Sequence, residues 1–482
     1  MRSQQRNSNS SRKQRNAIRF LLNNEDVRTE LPAGTLVLDY LRRVRGLTGT
    51  KEGCREGDCG ACTVLLGTLQ DNQVQYRAVA SCLLPLGGVA GKHLVTIEGL
   101  ATPQLTPIQQ AIVDEGASQC GFCTPGVVLS LTGFLLRAPS VTTESAVRAL
   151  DGNICRCTGY AAIKRAAARV ATEAEALLRD PAALNNGRLR TLVEAGYLPE
   201  YFLEVPHRLR RLQREESPRL PIPPAVAVGG GTDLFVQKPQ ELLDVPLRFL
   251  LDEPGLSDIQ CDGQTCTIGA AATVADLLES PALTEALPEL QNHLDLVSST
   301  LIRNRATVGG NLVNASPIGD LSILFLALGA EVLLSSDRTV PLEDFFLGYK
   351  RLALRPGEVV QAVRFHLPER PYVFNFEKVS KRRHLDIASV NSAALLRVDE
   401  QGEILQCRIS AGGVAPVPLF LRKTSAFLEK AVLSRETVLK AANLATTEIS
   451  PITDVRGSAR YKELLLRQLI LAHFAGTELQ SL

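Results

Sequence analysis

The sequence predicts an α+β, multidomain protein, and three observations carry that expectation. At roughly 100–200 residues per domain, a chain of 482 residues divides into about three domains. Eight of its eleven cysteines lie between Cys54 and Cys157, so the N-terminal third is organised around sulfur. Further on, a short apolar strand runs into a glycine-rich turn over 225–234, and a second glycine-bearing segment, read as a turn followed by a helix, lies at 301–320.

Composition narrows the function classes. The 53 Lys+Arg nearly balance the 51 Asp+Glu, a net charge of +2 that leaves no footprint for nucleic acid. A chain with 5% aromatic residues and no Trp also lacks stacking platforms for single strands. The longest apolar stretch, Leu321 to Ala330 and on past Glu331 to Leu334, falls far short of the roughly 20 residues that cross a bilayer. Residues 1–16 carry Arg2, Arg6, Arg12, Lys13 and Arg15 and no acid. Without an apolar core they read as a disordered basic tail rather than an export signal, and a cytoplasmic protein is expected. In a reducing compartment, clustered cysteines point to metal binding or redox chemistry rather than disulfides. The scattered Cys261, Cys266 and Cys407 read as small buried apolar residues.

The first quartet is Cys54, four residues, Cys59, two residues, Cys62, then nineteen residues to Cys82. This is the plant-type ferredoxin spacing for a [2Fe–2S] cluster. The loop 53–62 is glycine-rich because the chain must wrap closely around a cluster and aim backbone N–H groups at its sulfurs. Short strands are expected at Ala17–Leu22, Thr63–Leu69, Val74–Val79 and Leu94–Ile97, with a helix over Thr35–Arg45. Residues 17–99 thus resemble the β-grasp domain of plant-type ferredoxins. Four cysteines also suit zinc; the gap of four followed by two, with the last Cys beyond a hairpin, favours the cluster.

The second quartet is Cys120, Cys123, Cys155 and Cys157, in helical surroundings over 100–179. Thr106-Pro107 opens a helix through Glu115, and Thr124-Pro125 repeats the device for Gly126–Leu136. Cys120 and Cys123 therefore precede a helix N-terminus, whose dipole favours thiolates. Helices at Ser145–Leu150 and Tyr160–Leu177 follow, with Asp151-Gly152-Asn153 as the turn that returns Cys155 and Cys157 to the first pair. The segments Gln119–Gly126 and Gly152–Tyr160 resemble the second-cluster motifs of the molybdenum hydroxylases, the xanthine dehydrogenase and aldehyde oxidase family. That resemblance implies two adjacent [2Fe–2S] clusters, the second in a four-helix domain, with all eight cysteines as ligands.

Residues 180–217 turn polar and broken, with Asn185-Asn186-Gly187 and a charged run at 208–216, and read as a linker that is at most partly ordered. A two-part α+β FAD-binding region is expected next, over 218–370 and 371–482. A buried-type strand at Ala225–Val228 enters Gly229-Gly230-Gly231, where a chain without Cβ atoms lets amides approach a phosphate. No G-x-G-x-x-G fingerprint is present. The 301–320 segment reads as a Gly-Asn turn followed by a helix over Ile318–Leu328, capped by Ser316-Pro317. The pair resembles the two FAD-contacting stretches of the same family. The resemblance implies a pyrophosphate cradle at Ala227, Val228, Gly229, Gly230, Gly231, Thr232, Asp233 and Leu234. It implies further contacts at Ala306, Thr307, Val308, Gly309, Gly310, Asn311 and Asp320, the last suited to ribityl hydroxyls.

Residues 376–388 resemble the family's segment beside the flavin ring, which implies roles for Lys378 and Asp386. His384-Leu385 departs from the acidic residues usual there, so no acidic nicotinamide contact is carried over. Ser410–Pro418 resembles the glycine-rich turn of the C-terminal flavoprotein subdomain. The six His residues, His93, His207, His293, His366, His384 and His473, form no metal-ligand spacing.

With the chain ending at Leu482, no molybdopterin domain is expected on it and no residue for substrate hydroxylation. The resemblance implies an electron-transfer subunit of the xanthine dehydrogenase type, with two [2Fe–2S] clusters, FAD, NAD as acceptor and a large molybdopterin-binding partner in a dimer of heterodimers. The alternatives are the same electron chain serving an aldehyde or N-heterocycle oxidase, and a stand-alone NAD-linked iron–sulfur flavoprotein. Fusion of clusters and flavin in one chain favours the first reading, since the carbon monoxide dehydrogenase type usually separates them.

Overall fold

A computed structural model describes residues 17–179, 187–215 and 225–475. The expected basic tail, residues 180–186 and 216–217 of the expected linker, and residues 218–224 and 476–482 lie outside them.

The N-terminal sheet has five strands in the order Glu25–Thr29, Ile18–Leu22, His93–Val95, Thr63–Gln70, Gln73–Ala80. Ile18–Leu22 and His93–Val95 run parallel at its centre and the other neighbours are antiparallel. The strand Glu25–Thr29 escapes sequence reading because Val27 is its one buried residue. The expected helix over 35–45 is instead a single α-turn, Val37–Asp39, continued by a π-turn, Tyr40–Val44.

Four helices follow: Pro107–Asp114, Thr124–Arg137, Thr143–Arg148 and Ala161–Leu178. The first is held by a reciprocal cap, in which Thr106 Oγ1 accepts from the Gln109 amide and Gln109 Oε1 accepts from the Thr106 amide. Thr124 does not cap its helix: Cys123 occupies that position, and the Thr124 hydroxyl pairs with Ser118. Thr124–Arg137 is buried from Gly126 to Leu135 because it lies between the sheet and the other helices. Leu65, Tyr76 and Ala78 of the sheet share one core with Val127, Leu131 and Val170 of the helices.

The expected linker is largely structured. Arg188–Glu194 and Val205–Glu215 are helices, joined by a 3-10 turn at Glu200–Leu203. Val205, Leu209 and Leu212 fall at helical spacing and pack on Leu21. Interspersed Arg208, Arg210, Arg211 and Arg214 hid this stripe in the sequence. The strap fixes itself further through Tyr201, whose hydroxyl donates to the Gly99 carbonyl.

The flavin region begins with a parallel pair, Val226–Val228 beside Leu247–Phe249. A five-stranded antiparallel sheet follows, ordered Thr339–Pro341, Glu331–Leu334, Val360–His366, Thr265–Gly269, Ile259–Cys261. Cys261 and Cys266 face one another across its edge hairpin and form a disulfide, so only Cys407 is the buried free thiol expected of all three. The last sheet contains Val373–Val379, Val390–Val398, Ile404–Gly412 and Leu419–Phe420. Alternation splits its faces: Ala393 and Leu395 join the core around helix Asp320–Ala327, while Ala394 and Leu396 join that around helix Ala459–Phe474. Among the described residues no helix is long and apolar enough to cross a membrane.

Candidate redox centres and flavin cradle

The eight clustered cysteines meet in pairs. Cys54 meets Cys59, and Cys62 meets Cys82. Cys123 meets Cys155, and the sulfurs of Cys120 and Cys157 lie 3.4 Å apart. Among the described residues no three His, Cys, Asp or Glu side chains converge as a single ion would require. Two pairs per quartet are the donor set of a two-iron centre, in which each iron takes two thiolates. The hydrogen bond with Cys59 holds the Cys54 thiol down at about 5, against burial and with help from the Glu56 and Asp58 amides. Those amides lie 3.4 and 3.2 Å from Cys54 Sγ. Burial pushes Cys123 up to about 12. Burial also acts to raise its partner Cys155, but the Thr158 hydroxyl, 3.2 Å from Cys155 Sγ, together with the Thr158 and Cys157 amides and Cys123, outweighs it and lowers that thiol.

The two cysteine loops touch through their backbones. The Ile154 amide donates to the Cys59 carbonyl at 3.0 Å, and Asn153 Nδ2 donates to the Gly60 carbonyl at 3.3 Å. Glycine permits this approach: a Cβ on Gly126 would stand 2.2 Å from Gly60 O, and one on Gly60 2.5 Å from Gly152 O. Cys62 and Cys82 share a hydrophobic cluster with Val228 and Phe235 at the two ends of the glycine turn. Asp58 faces Arg382 and Asp386 of the expected flavin-ring segment; burial raises its carboxyl, and Arg382 opposes the rise.

The two expected FAD stretches meet backbone to backbone. A Cβ on Gly230 would overlap the Arg305 carbonyl at 1.8 Å, and one on Gly229 would stand 2.5 Å from Thr307 Oγ1. Ala227 and Val228 lie in the parallel strand pair, and Leu234 opens the short helix Leu234–Gln237. Among the described residues none accepts a hydrogen bond from the amides of Gly230, Gly231, Thr232 or Asp233. Gly230 and Gly231 are buried. Orphaned amides on a turn after a strand suit a pyrophosphate, so these residues fit the group that the sequence implies.

The second stretch differs from expectation. Gly309-Gly310-Asn311 is no turn but part of helix Val308–Asn314, capped by Thr307 Oγ1 accepting from the Gly310 amide. Asn311 Oδ1 accepts from the amide and hydroxyl of Ser322, so the next helix begins at Asp320 rather than Ile318. Asp320 is engaged: it accepts from Lys378 Nζ at 2.7 Å and from Asn391 Nδ2 at 2.6 Å. Lys378 also donates to the Leu296 carbonyl and is 4% exposed, leaving a fixed cation at the wall of a cavity of about 210 Å³. Arg382 and Arg383 line the same cavity. Asp386 turns inward to its own loop, accepting from the Lys381 and Arg382 amides at 2.8 and 3.1 Å. At the departure noted in the sequence, Leu385 takes a left-handed φ of 65° and is buried.

Four family models match the chain. A "2Fe-2S iron-sulfur cluster binding domain" matches residues 20–86 and a "[2Fe-2S] binding domain" residues 96–168. An "FAD binding domain in molybdopterin dehydrogenase" matches 213–369, and a "CO dehydrogenase flavoprotein C-terminal domain" matches 376–476.

The chain belongs to the molybdenum hydroxylase family.

It carries that family's two iron–sulfur domains and its FAD-binding domains. Xanthine dehydrogenase 1 of Arabidopsis thaliana is 32% identical over 485 residues, covering 83% of this chain and 35% of that protein. Xanthine dehydrogenase/oxidase of Rattus norvegicus is 29% identical over 447 residues, covering 81% and 34%. The chain thus spans about a third of the length of these relatives. A solved carbon monoxide dehydrogenase from Hydrogenophaga pseudoflava is 29% identical and covers 51% of this chain and 86% of its own, with a TM-score of 0.49.

Within this molybdenum hydroxylase chain, several contributors gave no local signal. Asp151, read as a turn residue, pairs with Arg303 at 2.5 Å, both side chains 4% exposed, and its other oxygen accepts from the Thr300 amide. The pair fastens the second cysteine loop to the flavin domain across 152 residues of sequence. Arg305 reaches back to brace the glycine turn, Nε donating to the Gly230 carbonyl at 3.1 Å. Asn391, on a strand, completes the Asp320–Lys378 network.

Proposed function

We propose that this chain is the iron–sulfur and flavin subunit of a two-chain xanthine dehydrogenase. It takes electrons from a molybdopterin centre on a large partner chain and delivers them to NAD as hypoxanthine or xanthine is oxidised in purine catabolism. Bound clusters would move electrons singly, and bound FAD would bridge them to the two-electron acceptor. The cluster ligands in this reading are Cys54, Cys59, Cys62 and Cys82, then Cys120, Cys123, Cys155 and Cys157. The FAD contacts are the residues of 227–234 and 306–311 together with Asp320 and Lys378.

The observation that carries the reading is the sequence of contacts through space. Cys120 and Cys157 are exposed, and exposed Phe122, Ile154 and Tyr160 lie within three residues of one or the other in sequence. Their loop is hydrogen-bonded to the ferredoxin-like loop, which in turn packs on the glycine turn and faces Arg382. Electrons would enter at the exposed helical loop and leave at the flavin cradle. The partner would dock on these exposed apolar residues, in a cytoplasmic dimer of heterodimers.

The side chains have positioning roles. Gly126, Gly60 and Gly152 set the approach of the two loops, Lys378 holds a fixed positive charge at the cavity wall that would favour negative charge on a flavin bound there, and Asp386 holds the basic loop beside it. Purification of the native protein tests the proposal. Co-elution of a large molybdenum-containing chain, with xanthine-dependent reduction of NAD, is expected. A single chain that is catalytically complete, or a complex that ignores purines and oxidises aldehydes, contradicts it.

A further inference from the structure

A cleft of about 410 Å³ separates the edge strand Gln73–Ala80 from the flavin domain. Its wall includes none of the residues proposed to contact FAD and none of the eight paired cysteines. The volume falls within the range of about 300–1,000 Å³ usual for small-molecule sites.

The charges on its wall do not cancel. Arg77 is paired with Asp276, Lys92 with Asp252 at 2.6 Å, and Arg137 with Glu279, which uses every carboxylate of the lining. The remaining cation is Arg305. It is 4% exposed, and among the described residues no carboxylate stands within ion-pair distance of it. Its one protein hydrogen bond among those residues is Nε to the Gly230 carbonyl, which leaves the terminal N–H groups of the guanidinium for the cleft. A buried cation is costly unless paired, and burial lowers Arg305 to about 10; the carboxylate that opposes this, Asp252, is already paired with Lys92. An oxyanion is the partner a guanidinium fork fits best.

We infer that this cleft binds a small molecule bearing an oxyanion group, phosphate or carboxylate, with Arg305 as its principal contact and the edge strand as its opposite wall. Neutral Gln75 on that strand and Gln70 at the end of the neighbouring strand Thr63–Gln70 supply hydrogen-bonding groups. Since Arg305 also braces Gly230, an occupant sits one side chain away from the flavin cradle. The inference stands apart from the electron-transfer reading, because it needs no partner chain and no purine.

Calorimetric titration of the flavin-loaded full chain with inorganic phosphate, and separately with acetate, tests it. Saturable binding of one anion per chain is expected, and which anion binds more tightly identifies the oxyanion. Gln75→Glu places a negative charge on the wall without touching Gly230 and should weaken binding at least tenfold. Gln70→Glu, on the neighbouring exposed strand end, gives the same test should the first variant lose its flavin or cluster absorbance. Arg305→Met should abolish binding. No saturable binding of either anion, or binding unchanged by the charge-introducing variants, overturns the inference.

Discussion

The Ile154 amide donates a hydrogen bond to the Cys59 carbonyl at 3.0 Å. Each is one position or none from a cysteine of a different quartet, so one backbone contact joins the two loops that we propose hold the clusters. The space around that contact is set by glycine.

Gly126→Ala should therefore separate the loops. Its Cβ would meet Gly60 O at 2.2 Å, and neither atom belongs to a flexible side chain that could yield. Overpacking of this kind costs about 1–3 kcal/mol. The measurement is magnetic coupling between the two reduced clusters: weaker coupling with both signals retained is expected, and unchanged coupling would show that the loops are not held by this contact.

The Asp151–Arg303 pair makes the second prediction. Removing one member of a buried pair leaves the other uncompensated, at about 3–5 kcal/mol, so Asp151→Ala should lower the denaturant midpoint substantially. Arg303→Met combined with Asp151→Leu should recover part of the loss. A midpoint for Asp151→Ala equal to that of the parent protein would mean that the pair fastens nothing.

Lys378→Met should weaken flavin retention about tenfold or more, roughly 1.4 kcal/mol for each factor of ten, because Asp320 is left without its cation. Cluster absorbance should be unaltered, since Lys378 contacts neither cysteine loop. Flavin released on gel filtration and quantified by fluorescence reads the effect; full retention would remove Lys378 from the cradle.

Acid stability follows from His93, whose ring is buried and held neutral, lowered to about 3 by burial against its hydrogen bond with Asn23 O. Between the unfolded value near 6.5 and the folded value near 3, the unfolded chain binds the extra proton. Stability therefore falls as pH falls through that window, by up to about 1.4 kcal/mol per pH unit from this group. Melting temperatures from pH 7.0 to about 5 should show a shallower slope in His93→Gln. An identical slope would mean that His93 takes up its proton within the fold.

What was legible in the sequence was local. The cysteine gaps, the Thr106-Pro107 helix start and the glycine turn after Val228 each declare themselves within a few residues. What was not legible depends on distance or on masking. Asp151 and Arg303 find one another only after folding, the stripe of Val205, Leu209 and Leu212 is interleaved with arginines, and Gly309-Gly310 imitates a turn until Thr307 caps it into a helix. Cys261 and Cys266 looked unrelated because nothing in their spacing says that they fall opposite one another across a hairpin.

On the proposed function, the two cysteine quartets feed electrons in series to the flavin. Electron paramagnetic resonance of reduced Cys157→Ser, combined with stopped-flow flavin reduction by xanthine in the complex with its partner, tests it most directly. One of two iron–sulfur signals should vanish, the other should persist, and the flavin should no longer be reduced by purine while still accepting electrons from NADH. Both signals intact, or purine reduction of the flavin at the parent rate, would mean that the second quartet does not carry electrons to the flavin.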